Sequence, residues 1–302
     1  MSDFKNKHIT IKEYETINDY KEKDIDEELI EILNFTKEEV DEIENKGFFF
    51  MPNKVTYARK TATEKEVIEN LSKNKRKKIR KALKSDFEII QEEEVSEENY
   101  KEWYKNIHLP TLEKKEIGIL TASEDWAEKD LERCEKIGIF AKNNGKIIAG
   151  IVARSFKETK NFPKRFSISY SGVSPEFKPT GINELLNVLI IGLVNKKGYE
   201  WIYRGMDTNL YGKHLSAGLP IFKTALNYEI IPRKAQILIK FNNLKDFDDT
   251  IFFLSFSKDS DKMIGNLIIK DESISFKEYE FPFLEKLRVY RYQNKTLTQI
   301  QK

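Results

Sequence analysis

Residues 137–156, IGIFAKNNGKIIAGIVARSF, constrain the chain more than any other stretch. Two apolar runs flank Asn143-Asn144-Gly145-Lys146, and Asn-Gly accepts the positive φ that tight hairpin turns require. The chain must therefore return on itself here as an antiparallel pair. RFSISYSGV (165–173) alternates as a third antiparallel strand. A helix follows over about 181–197 and Gly198 ends it. Then come a strand, EWIYRGMD (200–207), a helix over 210–226 and a strand, AQILIKF (235–241). Helix, hairpin, strand, helix, strand, helix, strand over 123–241 is the order of an α+β fold with a mostly antiparallel sheet flanked by helices.

Upstream, residues 1–46 are acidic and helical in pattern. DEELIEILNF (26–35) precedes TKEEVDEI (36–43), where Thr36 and Glu39 have capping-box spacing. GFFFMP (47–52) and KVTYAR (54–59) read as strands. Residues 61–84 read as helix from Thr63 onward with a break near Asn74, residues 96–108 as a second helix, and 123–138 as a third with Ser123 as N-cap. The tail carries strand-like runs, TIFFLSF, GNLIIK and ISFKEY, before a basic, polar end. The expected organisation is an acidic N-terminal region (1–60), a core (61–245) and a β-rich extension (246–302).

The 52 basic and 50 acidic side chains leave a net charge of +2, so bulk charge alone points to neither nucleic acid nor membrane. A single cysteine, Cys134, excludes an internal disulfide framework and fits a reducing compartment. The N-terminal MSDFKNKHITIKEY lacks the apolar segment of a signal peptide. VLIIGLV (188–194) is far short of the ~18 apolar residues of a membrane span. A cytoplasmic protein is expected. The sequence has no Cys/His cluster with zinc spacing, no Walker loop, no G-x-S-x-G and no dinucleotide-binding glycine fingerprint, and no metal is expected.

SGVSPEFKPTGINELLNVLI (171–190) places a Lys, a Pro, a Thr and a Gly where a long apolar helix begins. A helix N-terminus offers unpaired N–H groups and the positive end of its dipole, enough to hold a phosphate. Gly181 would let a ligand approach the backbone, Thr180 could cap the helix or donate to an oxygen, and Lys178 adds a charge. The alternative is a plain strand-to-helix turn capped by Thr180.

The hairpin, the strand ending in YSGVSPEF, the loop KPTGIN and the helix ELLNVLIIGLVNKKG together resemble the core of the GNAT acetyltransferases. LSKNKRKKIRKALKSDFEI (71–89), SPEFKPTGINELL and YRGMDTNLYGKHLSAGLPIFKTALNYEIIPR (203–233) are similar to the BioF2-like branch, which is related to the Fem peptidyltransferases. The likeness covers about 61–241. It implies a GNAT-like fold, an acyl donor bound where the two central strands splay, and a small-molecule or peptide amine as acceptor. Acyl-CoA is the implied donor; aminoacyl-tRNA (the Fem case) or an acyl-carrier protein are the alternative carriers. A non-catalytic, degenerate binding module is a further alternative. The implied donor contacts are Val173, Lys178, Thr180, Gly181, Ile182 and Asn183. The family's Arg/Gln-x-x-Gly-x-Gly/Ala pattern reads Lys178…Gly181…Asn183 here, so the last small residue is missing.

Acylating an amine needs a neutral amine held near an electrophilic carbonyl and donors to the developing oxyanion. A backbone N–H of the strand ending at Val173 can be that donor. Asp207 could take the ammonium proton or cap a helix, and Tyr211 could protonate a leaving thiolate or merely pack. In many GNATs a Tyr shortly before a Gly-Phe pair has the acid role, but Phe222 and Asn227-Tyr228 stand in that region here. Arg204, Asn209 and His214 are candidate substrate contacts, with Arg204 and Lys213 either meeting an anionic group or remaining solvated. Cys134 has no His near it in sequence, so direct attack in a ternary complex is expected rather than an acyl-enzyme. KNKRKKIRKALK (73–84) holds eight basic residues in twelve. It could meet RNA or cofactor phosphates, or be a solvated face neutralised by Glu92, Glu93, Glu94, Glu97 and Glu98.

Overall fold

The computed structural model describes residues 11–20, 27–113, 123–129, 134–160, 163–213, 215–233, 235–245, 247, 249–257, 262–271 and 273–301. The chain begins with β1 (Ile11–Thr16), β2 (Leu29–Asn34), α1 (Lys37–Glu44), β3 (Phe49–Pro52) and β4 (Lys54–Lys60). Next come α2 (Glu64–Glu69), α3 (Lys73–Leu83), β5 (Glu88–Glu92), α4 (Glu97–Trp103), a π-helical turn (Tyr104–His108) and α5 (Leu109–Glu113). The hairpin β6 (Lys136–Asn143) and β7 (Lys146–Phe156) leads to β8 (Arg165–Val173), α6 (Ile182–Lys196), β9 (Trp201–Thr208) and α7 (Gly218–Thr224). The rest is strand: β10 (Glu229–Pro232), β11 (Gln236–Phe241), β12 (Thr250–Phe256), β13 (Met263–Ile269), β14 (Leu284–Gln293) and β15 (Thr296–Gln301).

Two compact units form, one from residues 1–56, 206–224 and 230–302, the other from 57–205 and 225–229. The first holds two four-stranded sheets, ordered β1-β2-β11-β3 and β12-β13-β14-β15. The second is built on the sheet ordered β10-β4-β9-β8-β7-β6-β5. Antiparallel pairing dominates β5 through β8, and β8 to β9 is parallel. This is the mixed α+β architecture the sequence implies.

Local chemistry explains most elements. Thr36 and Glu39 form the expected capping box of α1, and Thr63 with Glu66 forms a second one opening α2. The break in the long basic segment falls at residues 70–72, where Ser72 caps α3 anew. Asn144 (φ 50°) and Gly145 (φ 75°) make the left-handed pair of a tight hairpin turn. In α6 the apolar residues are buried nearly all round, so this helix is a core element rather than a surface one.

Four expectations fail. Residues 11–16 and 27–35 are not helical: Ile11–Thr16 is β1, and Leu29–Asn34 is β2, between β1 and β11, with Leu29 in one apolar cluster and Ile30 and Ile32 in another. Covering both faces outweighs the weak helix preference of Leu and Glu. Residues 124–128 form turns, not a helix; 130–133 lie outside the described residues, and strand begins at Lys136. The helix expected over 210–226 is confined to Gly218–Thr224, because Tyr211 exchanges backbone hydrogen bonds with Phe252. ISFKEY gives only a single 3-10 turn, Lys277–Tyr279. The polar end contains a hairpin, β14–β15, turning on Asn294 and Lys295 at φ 51° and 61°.

Candidate functional site

In the second unit, β8 carries one extra residue relative to β7. Val152 pairs with Tyr170 but Ala153 with Ile168, leaving Ser169 as a bulge. A bulge shifts the period-2 alternation by one, so side chains beyond it change faces. Tyr170 and Gly172 thereby meet Trp103 and His108 of the α4 segment, while Ser171 turns to the other face. Registered pairing of β8 with β9 ends at Ile168 with Arg204, although β8 runs on to Val173. From Ser169 to Val173 the β9-facing edge of β8 therefore has no strand in register. Val173 itself is buried and paired only on the β7 side, with Ala149.

Arg204 stands at the apex of this divergence and is 7% exposed. Its guanidinium donates to Asn187 Oδ1 of α6 and, at 3.0 Å, to Ser171 Oγ. One side chain thus ties β9, the free part of β8 and α6 together. Tyr228 and Arg59 lie nearby, both buried; the Arg59 guanidinium sits 5.9 Å from the Tyr228 ring and donates to Leu226 O at 2.6 Å. Burial pushes the Tyr228 hydroxyl up from its ordinary range against the pull of both arginines, and lowers Arg59. The Tyr228 hydroxyl has no well-formed hydrogen bond. Asn227 takes φ 61°, so it supplies the left-handed backbone that a glycine would bring to that pair.

The loop to α6 differs from the expected anion cradle. Gly181 has φ +87° and is needed, yet a Cβ there would meet the Lys78 carbonyl oxygen at 2.4 Å. The close approach at Gly181 is made by the backbone of α3, not left open for a ligand. Thr180 Oγ1 donates to Phe177 O at 2.6 Å and accepts from the Ile182 N–H, as a local cap does. Ile182 is fully buried, and Asn183 receives the Asn187 amide at its carbonyl, 2.8 Å. Lys178 is exposed. Glu184, in the first turn of α6, is 5% exposed and ion-paired to Lys75 (2.9 Å) and Lys78 (3.5 Å). Burial alone would raise this carboxyl, but the Lys75 hydrogen bond and both lysine charges outweigh it and hold it below its ordinary range. Beside the loop, Ile107, Asn144, Ile148, Ser174 and Phe177 line a cavity of about 320 Å³.

The basic run is not neutralised by the acidic residues that follow it. Glu93 pairs with Lys197, Glu97 with Lys101, and Glu92 receives Ser96 and Asn99. Lys73, Lys77, Arg80 and Lys81 on α3 and Lys84 at its C-terminal cap are exposed, with no carboxylate within 4.0 Å among the described residues.

In the first unit, Asp207 and Tyr211 hydrogen-bond to each other, and Lys223 joins them. Asp207 Oδ2 accepts from Lys223 Nζ at 2.7 Å and from the Tyr211 hydroxyl at 3.2 Å. All three are buried, Tyr211 completely. Lys223 directly follows Phe222 in the helix of the 203–233 stretch, and that was the available signal. Asn209 is spent in the fold: its amide donates to Pro52 O and Leu254 O and accepts from the Leu254 N–H, leaving nothing for a substrate. Lys213 is 5% exposed and pairs with Glu28 at 2.8 Å, so it is not a solvated charge, and neither is Arg204. His214 lies outside the described residues. Asn187, Ser171 and Glu184 were missed; an Asn flanked by apolar residues within the helix was the readable clue to the first. No group of three His, Cys, Asp or Glu among the described residues could hold a metal, and no helix there is long and apolar enough to cross a membrane.

No family model matches the sequence, and no curated protein matches it. Solved structures similar to it include FemX, at 12% identity and a TM-score of 0.47 over 72% of this chain and 73% of that one. L-PGS from Bacillus licheniformis is similar at 15% identity and a TM-score of 0.40, over 72% of this chain and 69% of that one. An aminoglycoside acetyltransferase from an uncultured soil metagenomic sample, in complex with sisomicin, is similar at 15% identity and a TM-score of 0.35, over 47% and 86%.

Proposed function

We propose that the chain is a GNAT-type N-acyltransferase moving an acyl group from a thioester donor, acyl-CoA, to a primary amine. The observation that carries this reading is the end of β8 from Ser169 to Val173, which has no strand in register on its β9 side once pairing with β9 stops at Arg204. Backbone N–H groups on the edge of a rigid strand are preorganised donors for a thioester carbonyl and for the oxyanion that forms when an amine attacks it. The attacking nitrogen loses a proton, the thiolate leaves, and no acyl-enzyme is required. The cavity of about 320 Å³ at the end of β8 is of small-molecule size. Asp207 and Tyr211 are the proton-handling pair of this proposal, with Lys223 hydrogen-bonded to the Asp207 carboxylate.

The test is thiol release from acetyl-CoA and a longer acyl-CoA with a panel of primary amines. Amine-dependent release is expected, with kcat lowered about 10²-fold in Asp207→Asn and less in Tyr211→Phe. Absence of any release or of any thermal stabilisation by CoA thioesters would sink the acyl-CoA reading.

A second reading, with aminoacyl-tRNA as donor, is favoured by the exposed cations of α3 and by Glu184. A carboxylate in the first turn of α6 takes up the positive end of that helix, where a pyrophosphate would otherwise bind.

A further inference from the structure

The first unit contains a separate cavity of about 390 Å³, within the ~300–1,000 Å³ range of small-molecule sites. Its chemistry has two halves. Phe50 of β3 and Phe256 of β12 are half-buried, with ring centroids 4.8 Å apart and planes 39° apart, so the two rings pack on each other and both line the cavity. The other half comes from β14. Lys286, Arg288 and Tyr290 alternate along the strand and therefore share one face. Lys286 is exposed and Arg288 half-buried, and neither has a carboxylate within 4.0 Å among the described residues. Two cations two residues apart on a strand are ~6.6 Å apart along it, a spacing that a tetrahedral phosphate can bridge.

A buried polar group lies directly behind the lining. Asn266, fully buried, donates to Ser255 Oγ at 2.8 Å and to Ile264 O at 3.2 Å, and both Ser255 and Ile264 line the cavity. Its Oδ1 has no partner. With the Asn266 amide donating to its Oγ, the Ser255 hydroxyl proton is left to donate to a group in the cavity.

We propose that this cavity binds a nucleoside monophosphate. Arg288 and Lys286 hold the phosphate, a ring face of Phe50 or Phe256 stacks the base, and the Ser255 hydroxyl donates to a ring nitrogen. Glu44, the one carboxylate of the lining, accepts a sugar hydroxyl. The site does not depend on the acyl-transfer reading, because every group in it belongs to other elements.

The experiment is calorimetric titration of the full chain with adenosine 5′-monophosphate, adenosine and inorganic phosphate separately. The monophosphate should bind at least tenfold more tightly than either fragment. The double variant Lys286→Ala/Arg288→Ala should weaken it at least tenfold with an unchanged unfolding temperature, since neither side chain is in the core. Phe256→Leu should weaken adenosine and the monophosphate alike, and Lys178→Ala should change nothing. No binding at millimolar concentration, phosphate binding as tight as the monophosphate, indifference to the double variant, or loss in Lys178→Ala would each overturn the assignment.

Discussion

Glu184 shows how one side chain can decide what a helix N-terminus is for. Its carboxyl, held below the ordinary range by Lys75 and Lys78, contributes stability at neutral pH. A depressed acid pKa gives stability that is present above the unfolded value of ~4.3 and lost as the pH falls through the folded one. Chemical denaturation from pH 7 to pH 3 should therefore show the wild type falling toward Glu184→Gln, with the gap between them closing at the acid end. A gap independent of pH would mean the ion pairs contribute nothing. Gly181 is the companion case. Its φ of +87° and the 2.4 Å approach of the Lys78 carbonyl predict that Gly181→Ala costs about 2–4 kcal/mol, read by urea unfolding. Ligand-site logic alone picked Gly181 correctly as special but for another reason: sequence reports that a glycine is needed, and only the fold tells what presses against it.

Elements divide by how local their causes are. The β6–β7 hairpin was legible because Asn144-Gly145 writes its own turn, and nothing lies within 4 Å of a Cβ placed on Gly145. Gly145→Ala should thus cost only the left-handed backbone, about 1 kcal/mol, with no change in the folded spectrum; a larger loss would mean packing that is not visible there. The α1 and α2 caps were legible for the same reason. β2 was not, because Glu and Leu favour helix weakly and the two apolar clusters that hold Leu29 and Ile30 come from distant segments. The Tyr211 stretch failed likewise: its partner, Phe252, is some 40 residues away in sequence by simple counting, and no periodicity records it.

At the scale of the whole molecule, a net charge of +2 conceals segregation. α3 keeps its exposed cations while Glu93 and Glu97 pair with other lysines. If an RNA-borne donor is used, binding of bulk tRNA should weaken steeply with salt, and Lys77→Glu/Lys81→Glu should flatten that slope and lower affinity at least tenfold. Equal affinity in wild type and variant would remove the RNA reading. By itself the sequence determined the α+β order, the hairpin, the caps and the lack of motifs for metal or nucleotide-triphosphate chemistry, since each rests on residues adjacent in the chain. Tertiary structure alone decided that β8 bulges at Ser169 and parts from β9 at Arg204, and that Lys223 joins Asp207 and Tyr211. It also decided that Asn209 and Lys213 belong to the core. Those outcomes depend on which distant groups arrive at the same place and on the cost of burying a charge or an amide unpaired, and neither is written in local spacing.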